Sequence, residues 1–380
     1  MLGGEYRECT YCLMDTSDPE IVFDEAGRCN HCLNFETFRG VTWFPDGTGE
    51  RFLKEKILQI KNEGRNRSFD CVLGLSGGVD SSYLALKARE WGLRPLVVHV
   101  DAGWNSELAV QNIEQVIRNC DYELHTHVVN WDDMRELQLS YLRAAVSNQD
   151  VPQDHAFFAG LYHFATRNKV KYVLNGGNLA TEGIFPNSWH GSAMDATNLR
   201  AIHKKFGTQK LKDYPLIDFH QYYLWYPLVK RMTPFRPLNL MPYSKEIAIR
   251  ELSEIGWKAY PRKHGESIFT KFFQNHYLPV KFGFDKRRPH LSTLIAAGEL
   301  TRASAVEILS EPLYEPDELV RDKEYLCKKL RITLDEFEGL MNLPARSYKD
   351  FPNWDRRYQF LKRTQAFVRR RTGRNFRPYS

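Results

Sequence analysis

The 380-residue sequence contains no run of about 18 apolar residues, which excludes an evident membrane-spanning helix. Its opening, MLGGEYRECTYC, lacks a basic segment followed by an apolar stretch, so no secretory leader is expected and the chain is assigned to the cytoplasm. In that reducing compartment the seven cysteines are expected as thiols or metal ligands rather than disulfides. A strong charge of one sign is also missing. The 53 basic and 47 acidic residues leave a net charge of +6, which suits anionic substrates without demanding nucleic acid or a membrane surface. Internal repeats and low-complexity tracts are absent.

What the sequence does have, first, is a cysteine quartet. CTYC at 9–12 and CNHC at 29–32 form a C-x2-C-x16-C-x2-C pattern. Two close pairs of thiolates suit tetrahedral Zn2+, so Cys9, Cys12, Cys29 and Cys32 are the expected ligands. A site closed by four cysteines leaves no open coordination position and is structural rather than catalytic. His31 fits no ligand pattern.

Beyond the quartet, apolar runs alternate with amphipathic stretches. FDCVLGL (69–75), RPLVVHVD (94–101), YELHTHVV (122–129) and VKYVLNGGN (170–178) read as strands, and YYLWYP (222–227) as a fifth. Helical patterns lie between them, at 51–63, 81–92, 107–120, 133–147 and 154–167, with another at 244–256 begun by Ser244 and stopped by Gly256. This alternation predicts an α/β domain: a parallel five-stranded sheet with helices on both faces. After about residue 260 only helical patterns remain, at 290–309 and 322–341, before a basic, aromatic tail from Arg356 to Arg377. The expected organisation is a small zinc ribbon (1–45), an α/β domain (46–260) and a mainly helical C-terminal region for substrate or partner (261–380).

The second motif is LGLSGGVDSS at 73–82, a glycine-rich turn from strand to helix. The lysine of a G-x-x-x-x-G-K-[ST] phosphate loop is missing, and the G-x-G-x-x-G spacing is not met. Backbone N–H groups at a helix start still collect an anion. Ser76, Ser81 and Ser82 add hydroxyls, and Asp80 adds a carboxylate suited to Mg2+. SGGVDSS resembles the PP-loop of the ATP pyrophosphatases, whose fold is HUP/Rossmann-like. The resemblance implies that ATP is cleaved between its α and β phosphates, with Ser76, Gly77, Gly78, Val79, Asp80, Ser81 and Ser82 cradling the leaving pyrophosphate. It implies further that Asp101 in VHVDAGW lines an adenosine pocket. NGGNLATEG (175–183) resembles the second glycine-rich segment of these enzymes, bringing Gly176, Gly177 and Asn178 to the nucleotide and Thr181 and Glu182 to the α-phosphate or its metal. RPLNLMPYSKEI resembles their late lysine segment, which would put Lys245 on phosphate; the alternative is a surface helix lysine. Asp80, Lys245 and Glu182 are the catalytic candidates.

Over roughly Cys9 to Met341, three segments in order resemble the N-acetyl sugar amidotransferases of the PseA and WbpG type: YCLMDTSDPEIVFDEAGRCNHC, LGLSGGVDSSYLA and FTKFFQNHYLPVKFGFDKRRPHLSTLIAAGELTRASA. That family belongs to surface-polysaccharide pathways such as lipopolysaccharide O-antigen and pseudaminic acid synthesis. The resemblance implies conversion of a sugar acetamido group to an acetamidino group through an O-adenylyl imidate attacked by ammonia. The chain opens Met1-Leu2 and has no G-x-C-x-G elbow, so a separate glutaminase subunit or free ammonia is expected to supply nitrogen. A homo-oligomer is compatible with this reading. KFGFDKRRPH is the densest source of cations for an acidic or nucleotide-linked sugar (Lys281, Lys286, Arg287 and Arg288, with His290), and reads equally as a solvated basic loop. His264 or Glu266 in RKHGES would serve as general base, or each fills a structural role. The competing reading is a tRNA-modifying PP-loop enzyme of the thiolase kind. No C-x-x-C exists beyond residue 32 to support it. A third reading is a nucleotide-binding regulator without catalysis.

The quartet makes a direct prediction. Purified protein is expected to carry about one zinc per chain, as four thiolates complete one tetrahedral site. Cys9→Ser is expected to lower that content sharply when metal is measured by plasma mass spectrometry.

Overall fold

The computed structural model describes residues 5–260 and 265–372. Five strands form one parallel sheet: β1 (Cys71–Gly74), β2 (Pro95–Asp101), β3 (Leu124–Val128), β4 (Tyr172–Leu174) and β5 (Thr233–Phe235), in the order β3-β2-β1-β4-β5. Period-two alternation sorts the side chains between two cores. Val72, Leu96, Val98, Val100 and Val173 face one side. Cys71, Leu73, Val97, Tyr172 and Leu174 face the other. Val72, Leu73, Leu96 and Val97 have no exposed surface, and each such side chain contributes about 1.5–3 kcal/mol by leaving water. This is the α/β architecture the alternation predicts.

Helix α1 (Asn30–Arg39) belongs to the cysteine-rich region. The Leu73 face is covered by α2 (Gly47–Gly64), α3 (Val79–Glu90) and α4 (Glu107–Cys120), joined by the later helix Lys245–Glu254. The Val72 face is covered by α5 (Trp131–Ala144) and α6 (Val151–Arg167). Side-chain caps start most of these. Asp46 accepts from the N–H groups of Thr48 and Gly49, Ser106 from Ala109, and Asn130 from Asp133.

One strand assignment needs correction. Residues 222–227 do not form β5; Gln221–Val229 winds as a wide π-type turn. Tyr222, Tyr223 and Tyr226 all pack towards the Val72-side core, a helical spacing that an alternating strand would split between faces. Tyr226 meets Tyr162 at 5.2 Å between ring centroids, and Tyr223 meets Trp354 at 5.4 Å. The edge strand is instead Thr233–Phe235, where Pro234 is tolerated because only one side must pair. The helical patterns at 290–309 and 322–341 each divide. Gly298, at φ 82°, ends Arg287–Ala297 before Arg302–Ser310. Arg331, also left-handed, ends Pro316–Leu330 before Leu334–Met341.

The C-terminal helices bury Phe269, Phe272, Phe273 and Tyr277 with Trp104, Leu139 and Leu142 of the α/β body. The cysteine region packs Phe35 and Trp43 against Ala180, Ile184 and Ala296. Both additions therefore lie against loops at the carboxyl edge of the sheet. No helix among the described residues is long and apolar enough to cross a membrane.

His155 on α6 is fully buried. Its Nδ1 donates to the Ala193 carbonyl at 3.0 Å and its Nε2 accepts from the Ile217 N–H at 3.0 Å. Only the neutral ring satisfies both, and burial pushes its pKa down to about 4. As pH falls below about 6.5 the unfolded chain takes up a proton that the fold refuses, so stability falls until the folded pKa is reached. Thermal melts between pH 7 and pH 4 are expected to show a loss of about 3 kcal/mol from this group, and His155→Gln should flatten that part of the profile.

Candidate active site

In an open parallel sheet, ligands sit where neighbouring strands send the chain in opposite directions. Here that point is between β1, which continues to β2, and β4, which lies on the other side of β1. The two loops leaving these strands are Leu75–Gly78 and Asn175–Asn178, the two glycine-rich segments.

The first loop is held in a conformation that glycine permits. Gly77 has φ 83°, and a Cβ there would lie 2.7 Å from the Ala109 carbonyl oxygen. The Gly77 carbonyl accepts from Trp257 Nε1 at 3.1 Å and from the Tyr260 hydroxyl at 2.9 Å. Ser76 and Ser81 join across the turn through their hydroxyls at 3.0 Å, and Ser76 Oγ also accepts from Gly78 N–H at 3.3 Å. Gly78 caps α3 without a side chain, so the helix opens on backbone donors and dipole alone. Val79 is its first residue and Ser82 is buried, its Oγ without a partner.

The second loop approaches from β4. A Cβ on Gly176 would lie 3.0 Å from the Asp80 carbonyl carbon and 3.2 Å from Ser81 N, so the two loops touch backbone to backbone. Asn178 donates from Nδ2 to Asp80 Oδ1 at 3.3 Å. Its own Oδ1 accepts from Thr181 N–H at 2.9 Å and starts the short helix α7 (Leu179–Glu182). Thr181 is buried, while Glu182 is exposed with its Oε2 3.2 Å from where a Gly177 Cβ would stand. His290 donates from Nδ1 to the Thr181 carbonyl at 3.3 Å.

Tyr243 is the residue that sequence reasoning missed. Its hydroxyl donates to Asp80 Oδ1, and its ring packs on Tyr83 at 5.5 Å. Burial, then the nearby Asp80 carboxylate and, more weakly, Glu182, holds its proton well above the usual phenol range. It stands two residues before Lys245, which begins the helix Lys245–Glu254 and is partly buried. A lone aromatic beside a proline offered no periodic signal. Asp101 stands at the end of β2, where its Oδ1 accepts from Gly103 N–H at 2.7 Å and Asn105 Nδ2 at 3.1 Å. It shapes the third loop of this edge.

Of the cationic candidates, the structure engages three elsewhere. Lys281 donates to the carbonyls of Leu340, Met341 and Leu343 at 2.6–3.2 Å. Arg287 is tied to Asp285 and to the Glu311 carbonyl. Arg288 bridges Glu8 at 2.8 Å and Asp15 at 3.0 Å. Lys286 alone turns inward, onto His190 Nε2 at 3.0 Å and the Phe185 ring at 4.2 Å. His264 lies outside the described residues. Glu266 is brought to the first loop, its Oε1 3.6 Å from the position of a Gly78 Cβ.

The four cysteines converge as their spacing predicts. Their sulfurs all lie within 4.8 Å of one another, with separations of 3.6 Å for Cys12–Cys29 and Cys29–Cys32 and 3.9 Å for Cys9–Cys32. Tetrahedral Zn–S bonds of about 2.3 Å place sulfurs about 3.8 Å apart, so the cradle fits zinc. Backbone N–H groups of Tyr11, Cys12 and Cys29 point at Cys9 Sγ. A hydrogen bond from the Cys12 thiol, together with these N–H groups, brings its pKa down to about 6, while the same sulfur network pushes Cys12 and Cys32 up. His31 instead binds Asp18 at 2.7 Å.

Comparison with known proteins adds the following. The family described as "LPS biosynthesis protein WbpG-like, C-terminal domain" matches residues 266–365. Among solved structures, NMN synthetase from Francisella tularensis aligns with TM-score 0.34 and 13% identity, over 79% of this chain and 99% of that one. The NH3-dependent NAD synthetase from Campylobacter jejuni aligns with TM-score 0.29 and 11% identity, over 78% and 98%. The NAD+ synthetase from Burkholderia pseudomallei aligns with TM-score 0.28 and 16% identity, over 60% and 94%. At these TM-scores the likeness is too loose to carry a role across. No curated protein matches the chain. Residues 266–365 are thus similar to the C-terminal domain of the WbpG-like LPS biosynthesis proteins.

Proposed function

We propose that this protein is an ATP-dependent amidotransferase that converts an N-acetyl group of a sugar to an acetamidino group, releasing AMP and pyrophosphate. The observation that carries this reading is the backbone contact between Gly176 and Asp80–Ser81 at the point where the strand order reverses. It sets an uncapped helix start, a carboxylate and two glycine loops around one crevice, which suits a polyphosphate with its metal. The WbpG-like match at 266–365 supports a sugar as acceptor.

Asp80 and Glu182 would hold Mg2+. Both carboxylates act on the Tyr243 hydroxyl, and hard oxygen donors in small number beside a phosphate site suit that ion. When bound, it would neutralise charge growing on the phosphates. The residues of this chain then have distinct tasks. The 76–82 turn holds the departing pyrophosphate through N–H groups and hydroxyls. Tyr243 and Asn178 fix the Asp80 carboxylate by hydrogen bonds to one oxygen. The acetamido oxygen attacks the α-phosphorus, forming a P–O bond as the bond to pyrophosphate breaks. Ammonia adds to the imidate carbon, and AMP leaves carrying the former amide oxygen. Ammonia would come from solution or from a separate glutaminase subunit.

The thiolase-like alternative would require a reactive thiol near the crevice. Outside the quartet, Cys71, Cys120 and Cys327 are all buried. Burial pushes Cys120 and Cys327 up to about 11 and Cys71 higher still, which disfavours the nucleophilic thiolate.

With ATP, ammonium and a panel of free and nucleotide-linked N-acetyl sugars, AMP is expected to appear only with an accepted sugar, whose mass falls by about one dalton as O is replaced by NH. AMP release that depends on tRNA instead would overturn the assignment. Asp80→Asn is expected to lower kcat by about a hundredfold or more without loss of fold, the usual scale for removing charge organisation at a phosphoryl centre. Gly176→Ala should push the two loops apart and lower kcat/KM for ATP by about tenfold or more, since a methyl group at 3.0 Å from backbone forces a shift.

A further inference from the structure

The segment SNQDVPQDH, 147–155, runs into the first turn of α6. In a parallel α/β unit the helix before a strand begins at the carboxyl edge of the sheet. The first turn of α6 therefore opens on the same edge as the two glycine loops. Contacts bear this out. Gln153 Oε1 accepts from Ser267 Oγ at 3.5 Å, and the adjacent Glu266 reaches Gly78. Asp154 lies within electrostatic reach of Glu182 and of Lys286.

Four polar atoms in this short stretch are buried and have no partner among the described residues: Asn148 Oδ1, Gln149 Oε1, Asp150 Oδ1 and Gln153 Nε2. Their residues are 2%, 1%, 7% and 1% exposed. Native folds leave few such atoms, because each costs the desolvation of a polar group. The set mixes acceptors with a donor. A bare cation takes acceptors only, and a phosphate takes donors. A sugar hydroxyl both donates and accepts. Of the ionisable neighbours, burial pushes the Asp150 and Asp154 carboxyls up, while Lys286, brought down to about 8, keeps its charge at neutral pH.

We propose that the start of α6 is the sugar subsite, in which Asn148, Asp150 and Gln153 hydrogen-bond the hydroxyls of an uncharged N-acetylhexosamine ring, with Lys286 at its edge. This rests on the amidotransferase reading for the identity of the acceptor. It departs from the expectation of a cation-lined pocket for an acidic sugar. Any nucleotide or carboxylate on the substrate must then lie away from this turn.

The test uses the full-length protein with methyl N-acetylglucosaminide, methyl N-acetylgalactosaminide and N-acetylneuraminate as probes, in saturation-transfer NMR and calorimetry. At least one neutral glycoside is expected to bind the wild type, and N-acetylneuraminate to bind more weakly. Gln153→Leu is expected to raise the dissociation constant by about tenfold or more, since one buried partner is lost. The affinity for a non-hydrolysable ATP analogue should stay within about twofold, because ATP occupies the other loops. Should Gln153→Leu fail to fold, Asp150→Asn, which keeps the shape and replaces an acceptor by a donor, is expected to weaken the sugar alone. Unchanged sugar affinity in both variants, preference for the anionic sugar, no neutral glycoside bound by the wild type, or a co-crystal with ordered water only on these side chains would each overturn the proposal. The two readings fail separately. Sugar binding that the variants abolish, without amidine formation by the wild type, keeps the subsite and removes the reaction. Amidine formation with an unaltered sugar KM in the variants does the reverse.

Discussion

The site depends on one geometric constraint: β1 has a parallel neighbour on each side, and the chain leaves β1 and β4 in opposite directions. Loops that diverge from adjacent strands leave a crevice that no regular element fills. Here both loops must also touch. Gly176 approaches the Asp80 and Ser81 backbone, and Gly77 passes the Ala109 carbonyl. A side chain at either position would displace the turn. Trp257 and Tyr260 then fasten the Gly77 carbonyl from a segment almost two hundred residues further on.

Sequence alone resolved those features that local patterns encode. β1, β2 and β4 are short apolar runs buried on both faces, the glycine segments end two of them, and the cysteine spacing places four sulfurs within one coordination sphere. The aromatic run at 222–227 defeated the same reasoning. Its β propensity is real, but ring contacts with Tyr162 and Trp354 reward a helical face instead. The KFGFDKRRPH segment failed differently. Four cations in eight residues look alike in sequence, yet only the fold decides that Lys281 caps carbonyls, Arg287 and Arg288 pair with acids, and Lys286 turns inward. Tyr243 and the polar first turn of α6 become visible only once β1, β4 and α6 are in place.

The cysteine region is more than an attached knob. Phe35, three residues after the last ligand, lies so close to Gly183 that a Cβ there would stand 2.6 Å from the ring. Gly183 directly follows Glu182 and ends α7. The same hydrophobic cluster joins the four sulfurs to Ala180 and Ile184. Order at the metal cradle and order in the second glycine loop are thus one property of one cluster.

The chain closes on itself in another respect. Leu13 N–H donates to Ser292 Oγ, 279 residues away, and Arg288 returns to Glu8 and to the Leu13 carbonyl. Leu13 is buried by Leu291, Ile295 and Ala305. The Leu13 segment therefore waits for one made about 280 residues later before its apolar side is covered. At about 5–20 residues per second that delay is on the order of half a minute. Through that interval the nascent cysteine region lacks the side chains that cover Leu13 in the finished fold.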